Sequence, residues 1–159
     1  MLQADNEFKY ISKVSAEAIG KPGNRTFRII AETGTASAII WIEKQQLLQL
    51  ATGLRQLILA TPDREVTRKP LEEIKDLISH NIEFQVGKIS IGEDPVTGNL
   101  FIDTHNVDNQ ITENEIASLR LWVTKNQALD FVEQAIAVCA AGRPACELCG
   151  NPIDQQGHI

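Results

Sequence analysis

No apolar run in this 159-residue sequence is long enough to cross a lipid bilayer, which argues against a helical membrane protein. The first seven residues are polar and acidic, unlike a signal or transit peptide, so the expected location is the cytoplasm. An excess of positive charge is also missing. The net charge of −6 disfavours general binding to nucleic acid or to anionic membranes. Finally, no recognisable set of catalytic residues is present, so the sequence does not identify a reaction.

Cysteine is scarce, and its placement is informative. Of three cysteines, two form the Cys146-x-x-Cys149 motif, and in a reducing cytoplasm this spacing favours a metal over a disulfide. Gly150 permits a tight backbone turn after the second thiolate, and His158 is a candidate third ligand. Cys139 lies in an apolar helical stretch and is interpreted as a small buried hydrophobe.

The Cys146, Cys149 and His158 set predicts an incomplete structural zinc knuckle, because structural zinc normally has four protein ligands. Three alternatives stay open. A catalytic zinc needs a dry cavity that a chain end does not offer. A thioredoxin-like pair is weakly indicated, because such cysteines precede a helix and these follow one. The third alternative is a tail without metal.

An internal repeat runs through the middle of the chain. Residues 37–48 align with residues 118–129, and the only two tryptophans, Trp41 and Trp122, fall 81 residues apart at matching positions. In each copy a β-branched, apolar first half predicts a strand, and helical spacing of leucines and other apolar residues predicts a helix after it. Repeated aromatic residues usually belong to a core, so we expect both tryptophans to pack beneath the helices.

Two polar features accompany the repeat. Gln46 lies at the first strand-to-helix junction and recurs as Gln127 in the second copy, which predicts a shared capping or turn role. Arg120 and Thr124 alternate with apolar residues, which predicts a sheet with one wetter face.

A strand precedes each copy, which predicts a duplicated β-β-α unit. Six strands are expected, at residues 11–18, 25–32, 37–42, 83–91, 100–105 and 118–123. The predicted fold is α+β, an antiparallel sheet of about six strands with two helices on one face. Residues 1–142 form this domain, and residues 143–159 form the zinc-knuckle tail.

Two further groups of residues are candidate binding or catalytic sites. Gly20, Gly23 and Arg25 lie in a turn that is a candidate for anion binding, although a plain bend between strands is favoured. Asp103 and His105 share one face of a predicted strand and form a candidate acid–base pair. A solvated strand end is favoured for this pair, because no nucleophile accompanies it.

The chain resembles a bacterial family of unknown function sometimes labelled only "repeat protein". The resemblance rests on residues 20–27, on Glu43–Gln46, on Gly142–Pro144 and on the terminal Cys146–Asp154 and Gly157–His158 segments, and it covers essentially the whole chain. It implies a fourth zinc ligand, a cysteine, immediately after the position of Ile159. It also implies genes for a histidine-phosphatase-like protein and a lipid-kinase-like protein nearby, and hence a shared phosphate-linked pathway.

The sequence therefore favours a non-enzymatic interaction or adaptor module with a protein partner and a zinc knuckle. The alternative is an enzyme or small-ligand sensor that binds a phosphorylated ligand at the Gly20–Arg25 turn. Nucleic acid ranks third as a ligand, because the chain is acidic. An uncovered sheet face would indicate a homodimer.

Overall fold

Seven strands and two helices make up the part of the chain that this computed structural model describes, which is residues 4–21, 23–34, 36–60, 81–108 and 116–141. The elements are β1 (Glu7–Phe8), β2 (Lys13–Ile19), β3 (Thr26–Thr33), β4 (Ala36–Ile42), α1 (Lys44–Ala60), β5 (Asn81–Glu93), β6 (Leu100–Asn106), β7 (Leu119–Val123) and α2 (Lys125–Ala140). The predicted α+β class is confirmed, and each of the six predicted strands is present. The residues of the proposed knuckle, Cys146, Cys149 and His158, lie outside the described residues.

The strands form one sheet in the order β1-β7-β6-β5-β4-β3-β2. Two antiparallel meanders, β2-β3-β4 and β5-β6-β7, lie side by side in it, and each is followed by a helix. The meanders meet where β4 runs parallel to the first part of β5. A parallel contact needs a long crossover, and α1 with the chain after it provides one.

The expectation of six antiparallel strands was wrong by one strand, because β1 joins the sheet parallel to β7. Only Glu7 and Phe8 form this strand, too few for a period of two to be visible in the sequence. Phe8 is nevertheless only 4% exposed. Its burial, worth roughly 1.5–3 kcal/mol, anchors the strand.

The sheet is strongly curled. β1 and β2 lie at its opposite edges, yet only residues 9–12 separate them in the chain. Seven flat strands would hold these edges ~29 Å apart, at ~4.8 Å per neighbouring pair. The five Cα steps from Phe8 to Lys13 span at most ~18 Å, so the sheet bends until its edges approach each other.

A single apolar core fills the concave side. The inward residues of the strands alternate with outward ones, and both helices place buried side chains in the same cluster. Its largest fully buried members include Phe131, Ile29, Ile40, Leu47 and Leu121. Neither helix, nor any other helix in the described ranges, has the length and apolarity needed to span a membrane.

The helices begin with matching contacts. At α2, Thr124 and Gln127 form a capping box, in which each side chain accepts from the other's backbone N–H. At α1, the Gln46 side chain accepts from the Glu43 backbone N–H at 3.0 Å. The shared capping role predicted for Gln46 and Gln127 is confirmed.

The same glutamines also tie each helix to the strand beside it. Gln46 Nε2 donates to the Gly87 carbonyl at 2.9 Å, and Gln127 Nε2 donates to the Ile11 carbonyl at 2.7 Å. At the far end of α2, Cys139 is buried, and its Sγ lies 3.9 Å from the Lys44 carbonyl oxygen at the start of α1. The two helices therefore run antiparallel, and the prediction of Cys139 as a core residue is confirmed.

Candidate functional site

Both tryptophans lie on the outer face of the sheet, opposite the helices. On β4 the neighbours of Trp41, Ile40 and Ile42, are buried in the core, while Trp41 itself is only partly buried. β7 repeats this arrangement, with Trp122 partly buried between the core residues Leu121 and Val123. The expectation that the tryptophans pack beneath the helices was wrong. Alternation along the strand gives the inward positions to aliphatic side chains.

Each indole is fixed by a carboxylate on the parallel neighbour strand. Trp41 Nε1 donates to Glu83 Oε2 at 2.8 Å, and Trp122 Nε1 donates to Glu7 Oε1 at 3.0 Å. The glutamates precede Phe84 and Phe8, which are buried in both cases. An indole N–H has one hydrogen to donate, so these bonds settle the orientation of each ring.

A buried ion pair lies next to Trp122. Arg120 on β7 donates through Nε to Asp103 Oδ1 at 2.6 Å, and through a terminal nitrogen to Asp103 Oδ2 at 2.9 Å. The two side chains are only 3% and 2% exposed, although they stand on the outer face. This bidentate geometry is the strongest form of arginine–carboxylate pairing.

Aromatic rings border the guanidinium of this pair. Its central carbon lies 4.9 Å from the ring centre of Phe101 and 5.8 Å from that of Trp122. The two rings meet edge to face, with centroids 5.5 Å apart. Together Phe101, Asp103, Arg120, Trp122 and Glu7 form one packed unit, which we call the second-half cluster.

The electrostatics of the second-half cluster keep Arg120 charged. Its hydrogen bonds to Asp103 raise the pKa of the guanidinium; burial lowers it, and the charges of Asp103 and Glu7 raise it further. The net pKa shift is upward. Because both Asp103 oxygens already accept from Arg120, this carboxylate is occupied by the ion pair. The expectation of a solvated strand end was therefore wrong for Asp103, because this side chain is buried in the ion pair.

A related but more open arrangement occupies the first half of the sheet. Arg28 on β3 stacks on Trp41, with its guanidinium carbon 5.5 Å from the ring centre, and its Nε donates to Glu17 Oε1 at 2.5 Å. Here the side chains of Arg28 and Glu17 are 24% and 40% exposed. We call Glu17, Arg28, Trp41 and Glu83 the first-half cluster. Solvent screens this ion pair much more than the one in the second half.

The Gly20–Arg25 turn connects β2 and β3. Gly20 and Gly23 have positive φ angles of 107° and 89°, and the Asn24 N–H donates to the Lys21 carbonyl at 2.9 Å. A Cβ at Gly20 would stand 2.6 Å from the Asn24 carbonyl oxygen, so this position requires glycine. The bend favoured from the sequence is what the structure contains. Arg25 Nε is buried and has no hydrogen-bond partner among the described residues.

Sequence reasoning found some of these residues and missed others. Arg120 was noted only as a polar residue on a wetter strand face, and Glu7 and Phe101 were not singled out. The available signal was a charged residue, Arg120, flanked by leucines in a strand. Within the described ranges no group of three or more His, Cys, Asp and Glu side chains is placed to hold a metal ion. Cys146, Cys149 and His158 stay candidate ligands outside those ranges.

Comparison with known proteins gives one match. Residues 6–159 match a family model described as "Protein of unknown function (DUF3090)". Neither the curated proteins nor the solved structures contain a match to the chain.

Proposed function

The chain belongs to the DUF3090 family of proteins of unknown function, and we propose that it is a non-enzymatic interaction module that binds a protein partner through the outer face of its sheet. The observation that carries this proposal is the pair of tryptophan clusters on that face. Tryptophan and arginine are the residue types that dominate the binding energy of protein interfaces. We place this module in the cytoplasm.

The clusters are suited to recognition because they are held rigid before any partner arrives. Each indole is fixed by a glutamate and lies against an arginine, so little side-chain entropy is lost when a partner covers it. The two clusters lie on strands β4 and β7, in the two halves of one sheet. A partner that spans the face contacts both of them.

The proposal also includes an origin of the two halves by duplication and a zinc knuckle at the C-terminal end. Recurrent contacts, such as the pairs Trp41–Glu83 and Trp122–Glu7, support an origin of the two halves from one β-rich unit followed by a helix. We propose that Cys146, Cys149 and His158 are zinc ligands of a C-terminal knuckle and that this knuckle adds a second contact with the partner.

The test is a binding measurement with the histidine-phosphatase-like protein to which the family resemblance points. Calorimetry would compare the wild-type chain with Trp41→Ala and Trp122→Ala, each checked for folding by circular dichroism. We expect each substitution to weaken binding at least ~10-fold, as loss of an interface anchor typically does. Leu59→Ala is the matched control, because Leu59 is 77% exposed on α1, away from this face.

Two results would count against the module. One is binding that is unchanged in both tryptophan variants. The other is equal weakening in Leu59→Ala, which would mean that the effect is not specific to the face. A repeat with the Cys146→Ser variant tests the contribution of the knuckle separately.

A second function is favoured by one observation, which is that the buried Nε of Arg25 has no hydrogen-bond partner among the described residues. A buried guanidinium nitrogen without an acceptor is costly, and an anionic ligand at the Gly20–Arg25 turn would supply one. We therefore propose as the alternative a sensor of a phosphorylated small molecule. Titration with inorganic phosphate should shift the Arg25 Nε–Hε resonance in nuclear magnetic resonance spectra, and Arg25→Lys should abolish saturable binding. If the Arg25 Nε–Hε resonance does not shift when millimolar phosphate is added, this alternative is refuted.

A further inference from the structure

A groove lies between α1 and one edge of β5. β5 pairs with β4 only through its first part, Asn81–Gln85, and with β6 through its second part. The other edge of that second part has no strand beside it in the described portion of the chain. The groove there is lined by Gln46, Gln49, Leu50, Gly87, Ile89 and Ile91. Its volume of about 230 Å³ is several times larger than the ~30 Å³ that one water molecule occupies.

Backbone groups of β5 point into this groove. The Asp94 N–H donates to the Asn99 carbonyl across the β5–β6 hairpin, and successive residues of a strand direct their N–H and C=O groups to opposite edges. The N–H and C=O groups of Ile89, Ile91 and Glu93 are therefore directed away from β6. They form a row of donors and acceptors at strand spacing.

The matching edge in the first meander, that of β2, is contacted by a side-chain amide of α2. The Ala16 N–H on the free edge of β2 donates to Oε1 of Gln134, a residue of α2, at 3.3 Å. Ala16 pairs with Ile29, and Ile91 pairs with Ile102 at the same place in the other meander. At this point of β2, a side-chain amide thus takes the place of a neighbouring strand.

On β5, no amide comes from the matching position of α1, because that position is a glycine; the amides of Gln46 and Gln49 lie nearer the start of the helix. Gly53 precedes Gln134 by the 81 residues that also separate the two tryptophans. A Cβ on Gly53 would lie 3.2 Å from Cδ1 of Ile91, so Gly53 faces the same stretch of β5 that Gln134 faces on β2. At this position α1 therefore lacks the side-chain amide that α2 presents to β2.

We propose that the groove between α1 and β5 binds an extended peptide segment of a partner protein, which adds a strand to the free edge of β5. The main-chain amides of the peptide take the position beside β5 that the Gln134 amide takes beside β2. None of the described residues that line the groove is charged, so these walls complement a neutral segment. Alternate side chains of the peptide point toward Leu50 and Ile91, which selects apolar residues at those positions.

This surface is separate from the tryptophan clusters, so its occupancy does not depend on the function proposed above. The probe is a phage-displayed library of random dodecapeptides, selected against the full chain. The most enriched peptide is then synthesised, and its dissociation constant is measured by fluorescence anisotropy.

The decisive variant is Gly53→Gln, which introduces the amide that closes the matching edge. We expect it to weaken peptide binding at least ~10-fold, whereas Gly53→Ala, the matched control, retains binding because alanine has no amide to offer. Hydrogen exchange then locates the peptide. The amides of Ile89, Ile91 and Glu93 should exchange more slowly when it is bound.

Several results would overturn the proposal. These are a selection that enriches no peptide, equal affinity for Gly53→Gln and Gly53→Ala, and protection confined to other strands. Two others would assign the groove to a different occupant. A wild-type dimer that becomes monomeric in Gly53→Gln would identify a second copy of the chain. Peptide binding that arises only after residues 143–159 are removed would identify the chain's own C-terminal segment.

Discussion

The ion pair between Asp103 and Arg120 allows a quantitative test of how the sheet is stabilised. The two residues face each other across β6 and β7, just as Ile30 and Ile39 face each other across β3 and β4. The first half of the protein thus shows which apolar pair this position accepts. The perturbation is replacement of Asp103, of Arg120, or of both, by isoleucine.

The expected magnitudes follow from burial. With Arg120→Ile, the Asp103 carboxylate, which is 2% exposed in the wild type, loses both of its hydrogen bonds to the guanidinium. Removal of one partner of a buried pair costs roughly 3–5 kcal/mol, because an uncompensated charge stays inside. The double substitution leaves no charge behind. By the same reasoning, its stability should lie within about 1 kcal/mol of the wild type or exceed it by up to about 4 kcal/mol.

Urea unfolding followed by far-ultraviolet circular dichroism measures these differences. At a slope of about 1–3 kcal/mol per molar urea, each single substitution should lower the midpoint by 1 M or more. The control pair is Arg28 and Glu17, whose side chains are 24% and 40% exposed. Replacement of either one should lower the free energy of unfolding by at most about 1 kcal/mol. If the Asp103 and Arg120 losses simply add in the double variant, the reasoning is refuted.

Three further predictions concern other parts of the fold. Phe8→Ala should lower the free energy of unfolding by about 3–5 kcal/mol in denaturant titrations, because this buried ring anchors β1 beside β7; a loss below 1 kcal/mol would show that β1 does not hold the sheet edge. Thr124→Ala should cost about 1 kcal/mol by removing the capping box of α2, measured from the thermal midpoint. Burial raises the pKa of the Cys139 thiol above the ordinary value of 9.0, with Lys44 opposing it. In a Cys146→Ser, Cys149→Ser background, Cys139 should therefore react with a thiol reagent at pH 8 only at the rate of unfolding. Because the pKa of the Cys139 thiol is higher in the folded state than in the unfolded state, the protonated thiol contributes its full stabilisation below pH 9. The free energy of unfolding then declines as the pH rises further.

The elements of the fold could be predicted from the sequence because their signals are local. The helical spacing of leucines located α1, and alternation located the longer strands. Gln46 and Gln127 were assigned to the helix starts because they recur at the same distance from a tryptophan, and their bonds to Glu43 and Thr124 agree with this. A pattern that repeats inside one element needs no knowledge of its neighbours.

The candidate site was harder to predict because it depends on pairing between distant segments. Asp103 meets Arg120 only through the register of β6 on β7, and Trp122 meets Glu7 only through a parallel strand of two residues. The local sequence does not predict either of these strand registers. The tryptophans were assigned to the wrong face for a related reason, since a short apolar run such as residues 38–42 does not show which side meets the helices.

The contacts that differ between the halves are more informative about function than those that recur. The glutamine at each helix start and the glutamate at each indole occur in both halves, so the shared architecture is a sufficient reason for them. Gly53 does not recur, because the matching residue of α2 is Gln134. Glycine in the middle of a helix costs roughly 1 kcal/mol relative to alanine, although close packing against Ile91 favours a small residue here. Packing explains a small residue at Gly53, but among the described residues it leaves Ile91 of β5 without the amide that Gln134 gives to β2. The Gly53→Gln variant therefore separates a docking site for a strand from a gap that close packing leaves behind.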